Sequence, residues 1–208
     1  MTDVSIKPVD AHAAHDAHSD AKHEAQRNDS LKFGMWLFLA SEVILFTVLI
    51  ATFLVWRVNN GELVHQVHEA TGVFLVSVNT FLLLASSFAM VMGLRQIQLN
   101  NTGGLIKWIG LTALLGAIFV GLQGVEYTIL SNEGITIYSS EFGMRFYAPT
   151  AMHGAHVIFG VIWALYVVMN ARRGKYSSKN NIGVEIFGLY WHFVDVVWIL
   201  LFTVIYLL

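Results

Sequence analysis

Five long apolar runs constrain this chain more than any other feature. A helix rises ~1.5 Å per residue, so roughly 20 apolar residues cross the hydrocarbon of a bilayer. The runs Phe33–Trp56, Gly72–Leu94, Leu105–Leu130, Ala148–Met169 and Val184–Leu208 all pass that test. Hydrocarbon offers no partner for a bare N–H or C=O, so each run must satisfy its own backbone. The runs are too long and too continuous to be membrane strands, which are shorter and alternate. The expectation is therefore an all-α integral membrane bundle of five transmembrane helices.

Composition excludes the main alternatives. Apolar residues make up 56% of the chain and charged residues only 12%, about half the charge of a soluble domain. There are no cysteines, which removes disulfide scaffolds and thiolate metal sites. The formal net charge is −2, so no basic excess is available for phosphate backbones. The links between runs are short and leave no room for a second extramembrane domain. No internal repeat is visible, which argues against an inverted-repeat transporter.

Basic residues set the expected orientation. Lys7, Lys22, Arg27, Lys32, Arg95, Lys107, Arg172, Arg173, Lys175 and Lys179 fall on one side, and only Arg57 and Arg145 fall on the other. The N-terminus is expected in the cytoplasm and the C-terminus outside. Residues 1–32 read as a disordered, His-rich cytoplasmic tail, with His12, His15, His18 and His23 among Asp, Ala and Ser. It lacks the apolar core of a signal peptide. Loose metal binding by these histidines is the alternative to a plain solvated tail. Residues 33–208 form the membrane domain.

Ionisable side chains inside a bilayer are costly and need partners. They are few here: Glu42, Glu126, His153, His156, Glu185, His192 and Asp195. Counted from the cytoplasmic ends, Glu42 and His192 lie roughly 13 Å deep and Asp195 roughly 18 Å. His156 falls in the outer half, and Glu126 and His153 near the outer interface. Two clusters are expected: Glu42 with His192 and Asp195 near mid-membrane, and Glu126 with His153 and His156 towards the outside. Three roles compete for them: pairing that fixes helix packing, ligation of a b-type haem, and a proton relay centred on Glu42. His156 and His192 differ by roughly 9 Å in depth, a poor match for two axial ligands. No Ser/His/Asp set with an oxyanion motif, phosphate loop or Cys nucleophile is present. Small residues Ala113, Gly116, Ala117, Gly121 and Gly124 in the third run are expected to meet Ala85, Ser86 and Ser87 of the second.

The last run carries a recognisable segment, Tyr190-Trp191-His192-Phe193-Val194-Asp195-Val196-Val197-Trp198. It resembles the signature of subunit III of haem–copper oxidases. Ser41-Glu42-Val43, Asn79-Thr80 with Leu84-Ala85-Ser86-Ser87, Gln123 with Glu126 and Tyr127, His153-Gly154-Ala155-His156-Val157, and Glu185 resemble other family motifs in the same order. The likeness covers residues 33–208. The mitochondrial form has seven helices, whereas this chain has five and resembles the shortened bacterial form.

The resemblance implies an accessory subunit without haem or copper of its own, those cofactors being held by partner subunits. It implies direct packing on subunit I, with subunit II and further small subunits in the complex, and support for proton uptake. Glu42 corresponds to the family's carbodiimide-reactive carboxylate. Arg172 and Arg173 resemble residues that hold phospholipid headgroups. The expected location is a bacterial inner membrane, and the expected reaction of the complex is reduction of oxygen to water. Cytochrome c is the preferred electron donor. A quinol oxidase and the subunit-III-like protein of a nitric oxide reductase are the alternatives, with an autonomous transporter using Glu42 as the reading from another class.

Overall fold

The computed structural model describes residues 11–60, 73–138 and 141–207. These form five helices: α1 (Ala11–Asn59), α2 (Val73–Gln98), α3 (Thr102–Asn132), α4 (Glu141–Arg172) and α5 (Ile182–Phe202). The chain then widens into a π-helical turn, Thr203–Leu207. Among the described residues there is no strand, and all five helices are long and apolar enough to cross a membrane.

Two boundaries differ from the sequence reading. Helix α1 begins at Ala11, so the segment read as a disordered tail is helical from there onward. The physical reason is local: Ala11, Ala13, Ala14, Ala17, Ala21 and Ala25 are strong helix formers, and they lead directly into a membrane helix that supplies the nucleus. His23 is exposed on that extension, while the side chains of His12, His15 and His18 lie outside the described part. Helix α4 begins at Glu141 and runs through Pro149. Proline has no N–H to give to the carbonyl four residues earlier, a defect that membrane helices tolerate when neighbours compensate.

Three helix ends show why the connections are short. Asn100 has φ 61°, Gly134 has φ 80° and Gly174 has φ 70°. Each sits just after a helix, where a left-handed residue turns the chain and lets the next N–H groups cap the last carbonyls. After α2, the Asn101 N–H reaches back to the Gln96 carbonyl at 2.9 Å. Asn101 then caps α3, its side chain accepting from the Gly104 N–H at 3.0 Å. One asparagine thus closes one helix and opens the next, which leaves only a tight hairpin between α2 and α3.

Helices α2, α3 and α4 pack side by side in chain order, and α5 returns into their midst, touching α1, α2 and α4. It is the most enclosed span: half of its most apolar stretch is buried, against 17% for α1. Trp191 explains how it enters. A Cβ on Gly116 of α3 would come within 2.6 Å of the Trp191 ring, and one on Gly160 of α4 within 2.7 Å. Both glycines are therefore the space that the indole occupies. The small face expected on α3 is real at Gly116, where the nearest side chains are Trp191 of α5 and Val161 of α4. Gly121 and Gly124 face open space.

Helix α1 lies across α4 and α5 as an outer strap. Three polar contacts hold it along its length. Lys32 meets Glu185 at 2.6 Å, Glu42 meets His156 at 3.1 Å, and the Arg57 guanidinium donates to the Val204 carbonyl at 2.8 Å. Near the last of these, Arg145 lies 5.7 Å above the Trp56 ring.

Candidate functional site

The signature segment of α5 is where the bundle's polar contacts converge. Its residues point in two directions around the helix, towards α2 and towards α4. Towards α2, Trp191 Nε1 donates to Ser86 Oγ at 3.0 Å and Trp198 Nε1 donates to Thr80 Oγ1 at 2.9 Å. The two tryptophans are seven residues apart, hence on one face, and α2 runs antiparallel with hydroxyls at matching levels. His192 Nδ1 lies 2.6 Å from Ser87 Oγ on the same seam. Towards α4, the Tyr190 hydroxyl donates to the His156 carbonyl at 2.9 Å. The Val194 carbonyl accepts from His153 Nε2 at 3.1 Å.

That last bond fixes the ring of His153. A carbonyl only accepts, so Nε2 carries the proton. The ring is fully buried, tilted over Trp198 at 4.9 Å, with Phe119 set edge-on at 5.7 Å. Phe119 also meets Trp198 edge to face at 4.7 Å and 89°. Aromatic pairs in this geometry add to packing beyond their area, which suits a bundle whose helices gain nothing from leaving water.

The Glu42–His156 pair has a defined proton count. His156 Nδ1 lies 2.8 Å from the Met152 carbonyl, so Nδ1 carries a proton. Nε2 faces Glu42 Oε2 at 3.1 Å, and one further proton must lie between them. It rests either on the ring, giving an ion pair, or on the carboxyl, giving a neutral pair. Both side chains are about as enclosed, at 16% and 15% exposure. Phe46 covers the imidazole edge-on at 5.2 Å. On the open side, His156 helps to line a 260 Å³ recess with Phe38, Ala155, Phe159 and Tyr190. The arrangement can share one proton between the two side chains, close to an open recess.

Both clusters expected from sequence are re-partnered. Glu42 pairs with His156 rather than with His192 and Asp195. The salt bridge Lys32–Glu185 levels α1 with α5. Ten residues on from Lys32, Glu42 lies about 15 Å deeper, whereas His192, seven on from Glu185, lies about 10 Å deeper. Glu42 therefore sits about a turn beyond His192. Asp195 shares the depth of Glu42 but is buried away from it, and its Oδ1 has no hydrogen-bond partner. Depth alone cannot report which way around a helix a side chain points.

The outer cluster also separates. Glu126 Oε1 accepts from the Tyr206 hydroxyl at 2.7 Å, while His153 turns to Val194 and His156 to Glu42. Three residues apart on α4, the two histidines diverge by enough to serve different helices. Tyr206 was not foreseen, because the π-helical turn rotates its register relative to the rest of α5. Beside it, Gln123 Nε2 donates to the Tyr127 hydroxyl at 3.2 Å and to the Thr150 carbonyl at 3.1 Å, and Tyr127 donates to Thr150 Oγ1 at 2.9 Å. Arg172 and Arg173 are exposed at the C-terminal end of α4. The hydroxyls of Thr80, Ser86 and Ser87 carried a readable signal: their spacing on α2 matches that of the indoles on α5.

Among the described residues, no group of three or more His, Asp or Glu side chains is placed to hold a metal ion. What the contacts of the site do is tie the helices together.

Comparison with known proteins agrees with this geometry. The family model described as cytochrome c oxidase subunit III matches residues 10–208. Cytochrome c oxidase subunit 3 of Bacillus subtilis is 42% identical over 180 residues, covering 84% of this chain and 84% of that protein. Cytochrome c oxidase subunit 3 of Synechocystis is 39% identical, covering 97% of this chain and 81% of that protein. Quinol oxidase subunit 3 of Bacillus spizizenii is 34% identical, covering 95% of this chain and 97% of that protein.

Proposed function

The chain belongs to the cytochrome c oxidase subunit III family, and on that premise we propose that it is the accessory subunit of a respiratory haem–copper oxidase, packing on subunit I to keep it stable in turnover and supporting proton uptake. The observation that carries this reading is the use made of the signature segment. Tyr190, Trp191, His192, Val194 and Trp198 all bind neighbouring helices of the same chain. The chemistry left over is a single shared proton at Glu42 and His156, beside the most exposed helix of the bundle. A rigid partner with a proton-holding side fits an accessory role. Haem and copper then belong to subunits I and II, with further small subunits in the assembly.

Cytochrome c is the preferred electron donor. The relatives named as cytochrome c oxidase subunits share 42% and 39% identity with the chain, against 34% for the quinol oxidase subunit. The quinol reading has support of its own, because that relative matches nearly end to end. The bacterial relatives favour a bacterial inner membrane, with the N-terminus on the cytoplasmic side. Arg172 and Arg173, exposed where α4 leaves the membrane, are suited to phospholipid headgroups.

The test is removal of the chain from the complex. A complex lacking it should keep its haem spectrum and begin reducing oxygen, then lose activity over successive turnovers faster than the intact complex. Equal activity and equal lifetime with and without the chain would overturn the proposal. Oxygen consumption fed by reduced cytochrome c or by quinol separates the two donors.

A further inference from the structure

The groove between α1 and α5 is built on a helical repeat. On α1 its wall takes every position of the series i, i+3, i+4, i+7 from Trp36 to Val43, and on α5 the same series from Leu189 to Val196. Residues at that spacing share one face of a helix. Each wall therefore runs about 10 Å along its helix, close to two turns, and the space between them is 530 Å³. Ala40 stands within the α1 wall, where a small side chain lets a further helix come close. The rims are open: Trp36 is 58% exposed, Val43 51% and Val196 55%.

Apolar walls alone would suit a lipid chain, but one wall residue is polar. His192 lines the groove. It lies about 10 Å deeper along α5 than Glu185, which the bridge to Lys32 sets level with the start of the membrane part of α1. Its Nδ1 is held by Ser87 Oγ at 2.6 Å. Nε2 has no hydrogen-bond partner among the described residues, and it is not sealed inside the protein. Glu42 of α1 is taken by His156. The bond to Ser87 leaves the need of Nε2 unmet in either tautomer. If Ser87 donates, Nε2 carries an N–H with nothing to accept it. If Nδ1–H donates, Nε2 carries a lone pair with nothing to fill it. In hydrocarbon no water is there to meet either one.

The occupant of the groove must bring the complementary partial charge to that level. A lipid chain offers only CH2 groups in the hydrocarbon, because its polar groups stay at the interface. A flat polar headgroup binds in pockets that enclose most of its surface, and this groove is open at its rims. A helix meets both demands. Its ridge fits a groove with helical register on both walls, and one of its side chains can reach His192. A hydroxyl or carboxamide both donates and accepts, so it serves either tautomer.

We propose that this groove seats one transmembrane helix of a partner subunit, which lies along Trp36–Val43 and Leu189–Val196 and meets His192 Nε2 with a Ser, Thr, Asn or Gln side chain. This docking rests on the chain being a subunit of a membrane complex.

Photocrosslinking in the assembled complex tests it. Benzoylphenylalanine is placed at position 43 or at position 196, on the exposed rims of the two walls. Both positions should capture the same transmembrane segment of one partner subunit, with a hydroxyl or carboxamide residue at the crosslinked level. Ala40→Phe fills the groove from an exposed position and should abolish both crosslinks. His192→Leu should raise dissociation of the chain from the complex about threefold, the scale of one hydrogen bond between membrane helices. Replacing the partner's polar residue as well should add nothing further. Capture of lipid alone, of a small headgroup, of a second copy of this chain or of two unrelated segments would overturn the proposal, as would crosslinks unchanged in Ala40→Phe. Haem co-eluting with the chain is read in the same samples. Haem with no captured helix refutes the docking alone, and absence of haem refutes the subunit reading and the docking together.

Discussion

The pairing of Glu42 with His156 can be measured by a double-mutant cycle, because the structure gives the geometry of both side chains. They meet at 3.1 Å with 16% and 15% exposure. Two unit charges at that distance attract by about 5 kcal/mol at an effective dielectric near 20. Most of that is cancelled by taking both groups out of water. Cycles on polar contacts between membrane helices average about 0.6 kcal/mol and reach about 1.7, and charge-assisted bonds lie towards the upper end. The expected coupling is therefore about 1–2 kcal/mol, close to a tenfold change in an equilibrium constant. The assay is unfolding in mixed micelles titrated with SDS, on the wild type, Glu42→Ala, His156→Ala and the double variant. A parallel cycle with His192→Ala is the control, since His192 is on Ser87 instead. A Glu42–His156 coupling near zero, or one no larger than Glu42–His192, would refute the pairing and with it the proton count at that site.

Three other perturbations follow from the packing. Gly160→Val should prevent assembly, because the Cβ alone would stand 2.7 Å from the Trp191 ring; overpacking costs about 1–3 kcal/mol or more, and the check is the yield of assembled complex. Arg57→Gln removes the guanidinium donor from the Val204 carbonyl and should cost about 1 kcal/mol, visible as faster amide exchange in the terminal turn. Lys32→Gln should change stability by less than about 1 kcal/mol, since the Lys32–Glu185 bridge is 43% and 26% exposed and solvent screens it; the difference from wild type should vanish at high salt in thermal melts.

The number of helices was legible because the solvent demands it. No other backbone arrangement of five such runs satisfies its own N–H and C=O groups in lipid. The residues that make contacts inside the bundle were legible for a related reason, since ionisable groups in hydrocarbon must meet partners: Glu42, Glu126, His153, His156 and His192 each have one, and Asp195 is buried. Their partners were not legible. Depth follows from a fixed rise per residue, but direction around the axis depends on how α1 lies across α4 and α5, and no local pattern encodes that. Lys32–Glu185 would have corrected the depth scale, had the two been recognised as level. Tyr206 escaped because the π-helical turn breaks the periodicity by which a side chain's face is inferred. The extension of α1 to Ala11 was hidden by its polarity: it reads as a solvated tail, although its alanines favour helix and the span below holds it in register.

The most direct test of the accessory-subunit reading is to capture this chain from membranes in mild detergent and record a reduced-minus-oxidised visible spectrum. The expected result is haem absorption that travels with a large partner and disappears from the chain once the partner is stripped. A colourless chain that elutes alone would contradict membership in a working oxidase.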